Sequence, residues 1–171
     1  MEGGPNHLTA LDCGAGIGRI TKHLLSHSFA QVDLVEQNKI FLEKAKDYLQ
    51  GNDKVGHLFC CGLQNFVPKS EHYDVIWCQW VLGHLTDDHL IQFFQRCVKG
   101  LKKNGVLVVK ENLTSSGEVE KDEEDSSVTR PEDLLKVIFD KAGLEIVREM
   151  TQQKMPHGLY PVKMFALRNK T

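Results

Sequence analysis

Short apolar runs of strand length alternate along the chain with longer stretches whose apolar residues recur every three or four positions. His7–Cys13 predicts a first strand, and a glycine-rich turn leads from it into a helix from Arg19 to Ser26. Gln31–Glu36 alternates and predicts a second strand. Ile40, Phe41, Ala45, Tyr48 and Leu49 fall at helical spacing, so Lys39–Leu49 predicts an amphipathic helix. Val55–Cys60, Tyr73–Cys78 and Val106–Lys110 predict a third, fourth and fifth strand. Between the last two, a helix from Asp88 to Leu101 carries Leu90, Phe93, Phe94, Cys97 and Leu101 on one face, and Lys102–Gly105 supplies its stop and a turn. A final helix, Glu132–Ala142, starts after Pro131 and stops at Gly143. Leu144–Glu149 and Val162–Arg168 close the chain as an antiparallel pair at the sheet edge. Strands alternating with helices predict an α/β fold, a doubly wound and mostly parallel sheet of seven strands with an antiparallel edge.

Composition narrows the picture mainly by exclusion. The 171 residues, 41% of them hydrophobic, suit one domain spanning 1–171. Charged residues are 26% of the chain and nearly balance to a net −2, which argues against a nucleic-acid groove built on clustered Lys and Arg. No apolar run approaches the roughly 20 residues needed to cross a bilayer. The start, Met-Glu-Gly-Gly-Pro-Asn-His, lacks the basic and apolar regions of a secretory signal. Without such a signal the match of Asn112-Leu113-Thr114 to the glycosylation pattern carries no meaning. The five cysteines, Cys13, Cys60, Cys61, Cys78 and Cys97, form no Cys-x-x-Cys pair, so no metal site is expected and they read as buried, reduced thiols of a nuclear or cytoplasmic protein.

Residues 114–125 break the alternation with Glu118, Glu120, Asp122, Glu123, Glu124 and Asp125. Charge content alone describes a solvated loop. Its place after the carboxyl end of a strand, where open α/β sheets bind ligands, describes a functional one.

Gly14-x-Gly16-x-Gly18 follows a strand and opens a helix, the setting in which glycines let a ligand approach the backbone. Glu36 ends the next strand, 22 residues after Gly14, where this fold offers a carboxylate to ribose hydroxyls. A dinucleotide fingerprint would require glycine at position 19, which holds Arg19. Gly-x-Gly-x-Gly after Asp12-Cys13 resembles instead the first motif of class I methyltransferases, implying a Rossmann-like fold and S-adenosylmethionine, with a nicotinamide cofactor as the alternative. Arg19 at the helix start is either a surface charge or a bidentate partner for the methionine carboxylate.

Three stretches are more distinctive: Asp12 to Lys22, Tyr73 to Asp87 with its Gln-Trp-x-x-Gly-His-Leu-Thr-Asp run, and Asp125 to Val128. From Leu11 to Leu167 the chain resembles the α-N-terminal protein methyltransferases, which modify proteins beginning Xaa-Pro-Lys once the initiator methionine is gone. The resemblance implies that Gly14, Gly16, Arg19, Glu36, Leu63, Gln64 and Gln79 contact S-adenosylmethionine. The family commonly has Asp at the position of Glu36. It implies substrate contacts for Trp80, Asn112, Asp122, Ser127 and Tyr160, and credits His84 and Asp125 with deprotonating the amine. Protein N-termini are then the partners, and assembly with a related methyltransferase is compatible with the resemblance.

Each residue also has a plainer account. His84 can hydrogen-bond the backbone near Asp87, Trp77 and Trp80 can be core, Asp125 can belong to a cap with Ser126 and Ser127, and Tyr160 can close the sheet edge. His84 and His89, five apart, are wrongly spaced for a metal pair on one helix face. The first strand begins close to Met1, so the longer N-terminal helical extension of the family is expected to be absent, leaving a wetter site. Two other functions are the alternatives: a catalytically weak module that binds or regulates a relative, and a small-molecule methyltransferase, which the Gln-Trp-x-x-Gly-His segment disfavours.

Overall fold

The computed structural model describes residues 3–170. Among these residues nine strands and four helices follow in the order β1 (Thr9–Cys13), α1 (19–28), β2 (Gln31–Glu36), α2 (Lys39–Tyr48), β3 (Val55–Cys60), β4 (Tyr73–Gln79), α3 (Asp87–Gly100), β5 (Leu101–Thr114), β6 (Glu120–Lys121), β7 (Val128–Pro131), α4 (Glu132–Lys141), β8 (Leu144–Thr151) and β9 (Val162–Asn169). The main layer runs β3-β2-β1-β4-β5-β9-β8, parallel except at β9, which pairs antiparallel with both neighbours. This is the seven-stranded sheet expected from the hydrophobic pattern. β6 and β7 add a short antiparallel ribbon that continues from the end of β5.

Strand alternation sorts the core into two layers. Leu11, Cys13, Ile76, Cys78, Leu107 and Val109 face α3 and α4, while Ala10, Val32, Leu34, Val75, Val106 and Val108 face α1 and α2. On α3, Leu90, Phe93, Phe94 and Cys97 repeat at three- and four-residue steps and are buried. The Thr86 hydroxyl caps that helix by accepting from the His89 N–H, and Asp87 and Asp88 sit in its positive first turn. Phe94 packs at a tilt against Phe139 of α4, and Phe139 meets Phe165 of β9 edge to face, with ring centroids 5.6 and 5.4 Å apart. Together they seal one face of the sheet.

Three expectations need correction. Lys102–Gly105 is not a turn between elements, because α3 ends at Gly100 and β5 begins at Leu101. Leu101 pairs with Tyr73 and Val106 with Val75, so five steps along β5 answer two along β4 and the intervening residues bulge. Second, residues 114–125 are not one loop but contain β6, held by β7. Third, the cysteines are not all buried: Cys13, Cys78 and Cys97 are, whereas Cys60 is exposed and Cys61 partly so. Among the described residues no helix is long and apolar enough to cross a membrane.

α1 is a helix with a π-helical turn over Thr21–Leu25. Beneath it lies Asp12, 2% exposed, whose carboxylate accepts from the Thr21 N–H (3.1 Å) and hydroxyl (2.7 Å). Burial pushes the Asp12 carboxyl up to about 6 against the pull of those hydrogen bonds, and the Glu36 charge adds to the rise. A carboxyl raised in the folded state favours folding while protonated, so its contribution is full below pH 3.8 and is lost as pH rises through about 6. Relative to the unaltered chain, Asp12→Asn is therefore expected to be more stable at pH 7 than at pH 4 by about 1–3 kcal/mol. Urea unfolding at the two pH values measures this, and a difference independent of pH would refute it. Glu111, also raised, is common to both proteins and drops out of the comparison.

Candidate active site

Two cavities meet at the carboxyl ends of the parallel strands, beside the switch point between β1 and β4 where strand order reverses. The first, about 520 Å³, is lined by Gly14, Gly16, Glu36, Leu63 and Gln64 among others. That size suits a nucleoside carrying an amino-acid chain. Gly14 has φ +67° and approaches Val81 so closely that a Cβ there would overlap its side chain. The two oxygens of Glu36 accept from the N–H groups of Gly16 and Asn38, each at 2.8 Å, which fixes the carboxylate at the cavity wall. Each oxygen keeps a further lone pair, so ribose hydroxyls can still be bound. The donor set and the space therefore fit S-adenosylmethionine.

Two of the residues assigned to the cofactor lie outside that lining. Arg19 is exposed at the first residue of α1. Gln79 ends β4 with its amide oxygen accepting from the Trp77 indole at 3.2 Å.

The second cavity, about 690 Å³, is lined by Trp80, His84, Asn112, Asp122, Asp125, Ser127 and Tyr160. All the residues that the resemblance places on the substrate side thus share one space. Trp80 and His84 line both cavities and form the boundary between them. Trp80 is 50% exposed and holds a left-handed backbone, φ +51°, an arrangement that side chains adopt at a cost. Its indole donates to Asn112 Oδ1 at 3.0 Å, and the Lys110 ammonium lies 5.0 Å from its ring centre.

The acidic turn between β6 and β7 closes the far wall. The Asp122 N–H donates to the Ser127 carbonyl, and Asp125 Oδ1 accepts from the Ser127 N–H at 2.8 Å. Hydrogen bonds from Ser127, with a smaller pull from His84, hold the Asp125 carboxyl below the usual carboxylate range, so it is ionised at neutral pH. Asp125 is therefore part of a hairpin turn and not of a helix cap. The Tyr160 hydroxyl donates to Glu120 at 2.5 Å, tying the loop before β9 to β6. Tyr160 thus closes the cavity as well as the sheet edge.

This turn reaches the site because Gly83 lets it. A Cβ at Gly83 would stand 2.6 Å from the Val128 carbonyl oxygen, so only glycine lets the 3-10 turn Leu82–His84 lie against β7.

Glu111, Met155 and Leu159 also line the second cavity and were not singled out in the sequence, and Glu120 and Glu123, read there only as members of the acidic stretch, join them. Glu111 follows directly on the predicted end of β5, and its place at the carboxyl end of a strand was the available signal. Burial pushes its carboxyl up to about 7 despite hydrogen bonds from the Leu82 and Val81 N–H groups and the nearby Arg130 charge. The cavity wall carries five acidic side chains, Glu111, Glu120, Asp122, Glu123 and Asp125, against one Lys121. A cationic guest is favoured.

The chain as a whole is similar to known methyltransferases. A family profile described as AdoMet dependent proline di-methyltransferase matches residues 1–168. N-terminal Xaa-Pro-Lys N-methyltransferase 1-B of Xenopus laevis is 50% identical over 160 residues, covering 93% of this chain and 71% of that protein. The Homo sapiens N-terminal Xaa-Pro-Lys N-methyltransferase 1 is 48% identical over 172 residues, covering 98% and 77%. A solved SAM-dependent methyltransferase of Leishmania major superposes with a TM-score of 0.93 at 39% identity, covering 98% of this chain and 67% of that one.

Proposed function

This chain belongs to the AdoMet-dependent proline di-methyltransferase family, and on that premise we propose that it methylates the α-amino group of proteins whose processed N-terminus reads Xaa-Pro-Lys. The observation that carries this reading is the shared wall of Trp80 and His84, which joins a cofactor-sized cavity to an acidic one. Its methyl donor is S-adenosylmethionine, which when bound supplies a methyl group on a sulfonium.

The residues of the chain then have distinct tasks. Gly14, Gly16, Glu36, Leu63 and Gln64 hold the donor in the first cavity. Asp122 and Asp125 draw in a guest that is cationic at its N-terminus and again at its third-position lysine. An α-ammonium has a pKa of roughly 7.7–8.0 and is not nucleophilic until it loses its proton. Asp125, held ionised, orients the ammonium. His84, on the boundary of the two cavities, takes the proton, since an imidazole nitrogen within hydrogen-bond reach of the amine can act as its general base. Trp80 and Asn112 keep the freed lone pair aligned with the cofactor cavity, where near-attack distance is roughly 3 Å.

The direct test supplies labelled methyl donor with a peptide beginning Ser-Pro-Lys, and in parallel the same peptide N-acetylated. Label in the free peptide alone is the expected result. Equal label in both peptides, or none in either, would overturn the proposal.

A further inference from the structure

The segment 80–87 carries both Trp80 and His84, yet before Asp87 opens α3 its regular structure is one short 3-10 turn, Leu82–His84. Something outside it must fix its position. From one side Glu111 Oε1 accepts from the N–H groups of Val81 and Leu82, both at 2.9 Å. From the other, Arg130 on β7 is 4% exposed and commits its guanidinium wholly to the same segment. Its NH1 donates to the Leu82 carbonyl (3.2 Å), NH2 to the Leu85 carbonyl (2.6 Å) and Nε to the Asp87 carboxylate (2.8 Å). Two donors and two acceptors of the segment's backbone are thus satisfied by two side chains of opposite character from different strands, Arg130 buried and Glu111 partly so.

We infer that Glu111 and Arg130 are positioning residues that clamp segment 80–87 between β5 and β7 and so set Trp80 and His84 on the boundary of the two cavities. The cost of drawing an acidic and a basic group away from water is compensated here by five hydrogen bonds to one segment. A hydrophobic pair of the same volume would fill the space without holding the segment. The planar fork of arginine matters because its three nitrogens serve three acceptors at fixed angles, which an ammonium cannot do. The clamp also explains how Trp80 is kept in its left-handed conformation, since the residue that follows it is pinned through its own N–H. It carries the approach of Val81 to Gly14 as well, so the same device shapes the wall of the first cavity.

The inference rests on the reading that Trp80 and His84 serve the acceptor amine, and its test therefore has one arm that needs no activity. In a Trp77→Phe background Trp80 is the only tryptophan, because the chain has two. Glu111→Gln keeps the shape and weakens the acceptor, Arg130→Lys keeps the charge and loses the fork, and Glu111→Asp restores the charge. Tyr73→Phe removes a buried hydrogen bond to Asp33 away from both cavities and serves as a control for lost stability.

For Glu111→Gln and Arg130→Lys, acrylamide quenching of Trp80 should rise above that of the Trp77→Phe parent, and kcat on a Ser-Pro-Lys peptide should fall about tenfold or more. Glu111→Asp should recover part of both. Tyr73→Phe should change melting temperature alone. Should Arg130→Lys fail to fold, the isosteric Glu111→Gln carries the test. Quenching and kcat that move in Glu111→Gln no more than in Tyr73→Phe would overturn the clamp. Altered quenching in a protein that never labels the peptide would leave the clamp standing and remove the proposed substrate.

Discussion

Asp125→Asn is expected to lower kcat toward an Xaa-Pro-Lys peptide by about 100-fold or more, the scale on which positioned acid–base groups act, while the donor binds as before. The expectation follows from location. Asp125 lines the second cavity and not the first, on the turn that faces His84. Asparagine keeps an acceptor oxygen for the Ser127 N–H, so the turn should survive. What is lost is the negative charge that orients an ammonium and supports the imidazolium formed when His84 takes its proton. Steady-state kinetics with the peptide, beside calorimetry with S-adenosylmethionine, separate the two effects. A large loss of donor affinity, with turnover spared, would show that Asp125 belongs to the other cavity.

Gly14→Ala is expected to weaken donor binding by about 100-fold or more, equivalent to about 3 kcal/mol. Two costs combine. A non-glycine residue at φ +67° is in the left-handed region, at about 1–2 kcal/mol. The added Cβ would also stand 2.6 Å from Val81 Cβ and closer still to Cγ2. Val81 cannot simply withdraw, because its N–H is held by Glu111. The overlap must be relieved by shifting the glycine loop that lines the cofactor cavity, at about 1–3 kcal/mol. Gly51→Ala is the matched control: its φ is +80° and a Cβ there would meet nothing within 4 Å. It should pay the conformational cost in stability and leave donor affinity alone. Calorimetric titration of both variants decides the matter, and an unchanged affinity in Gly14→Ala would refute the account.

Much of the fold was legible because its signals are local. Strand alternation in Gln31–Glu36 and the helical spacing of Leu90, Phe93, Phe94 and Cys97 are read from neighbours a few residues apart; burial followed the helical spacing, whereas the strand is buried on both faces as a central parallel strand must be. The glycine run and Glu36 were legible for the same reason: a turn with positive φ and a carboxylate ending the next strand are properties of one βαβ unit. The bulge at Lys102–Gly105 was not, since nothing local reveals that Leu101 already pairs with Tyr73. Nor was the ribbon of β6 and β7, whose place depends on Leu113 and Thr114 pairing with Arg130 and Pro131.

Local patterning in the chain specifies the main sheet and the cofactor turn and, through the run from Gln79 to Asp87, the company this chain keeps. Only the tertiary structure decided what stands beside what. It brought Asp125 to the side of His84 opposite the cofactor cavity, joined Tyr160 to Glu120, and left Arg19 and Gln79 outside the cofactor lining. It also buried Arg130 and drew Glu111 partly inside, although both look in the sequence like ordinary surface charges. The physical reason is the same throughout. Periodicity and backbone strain are short-range properties of the chain, whereas desolvation and the meeting of side chains tens of residues apart exist only once the strands have paired.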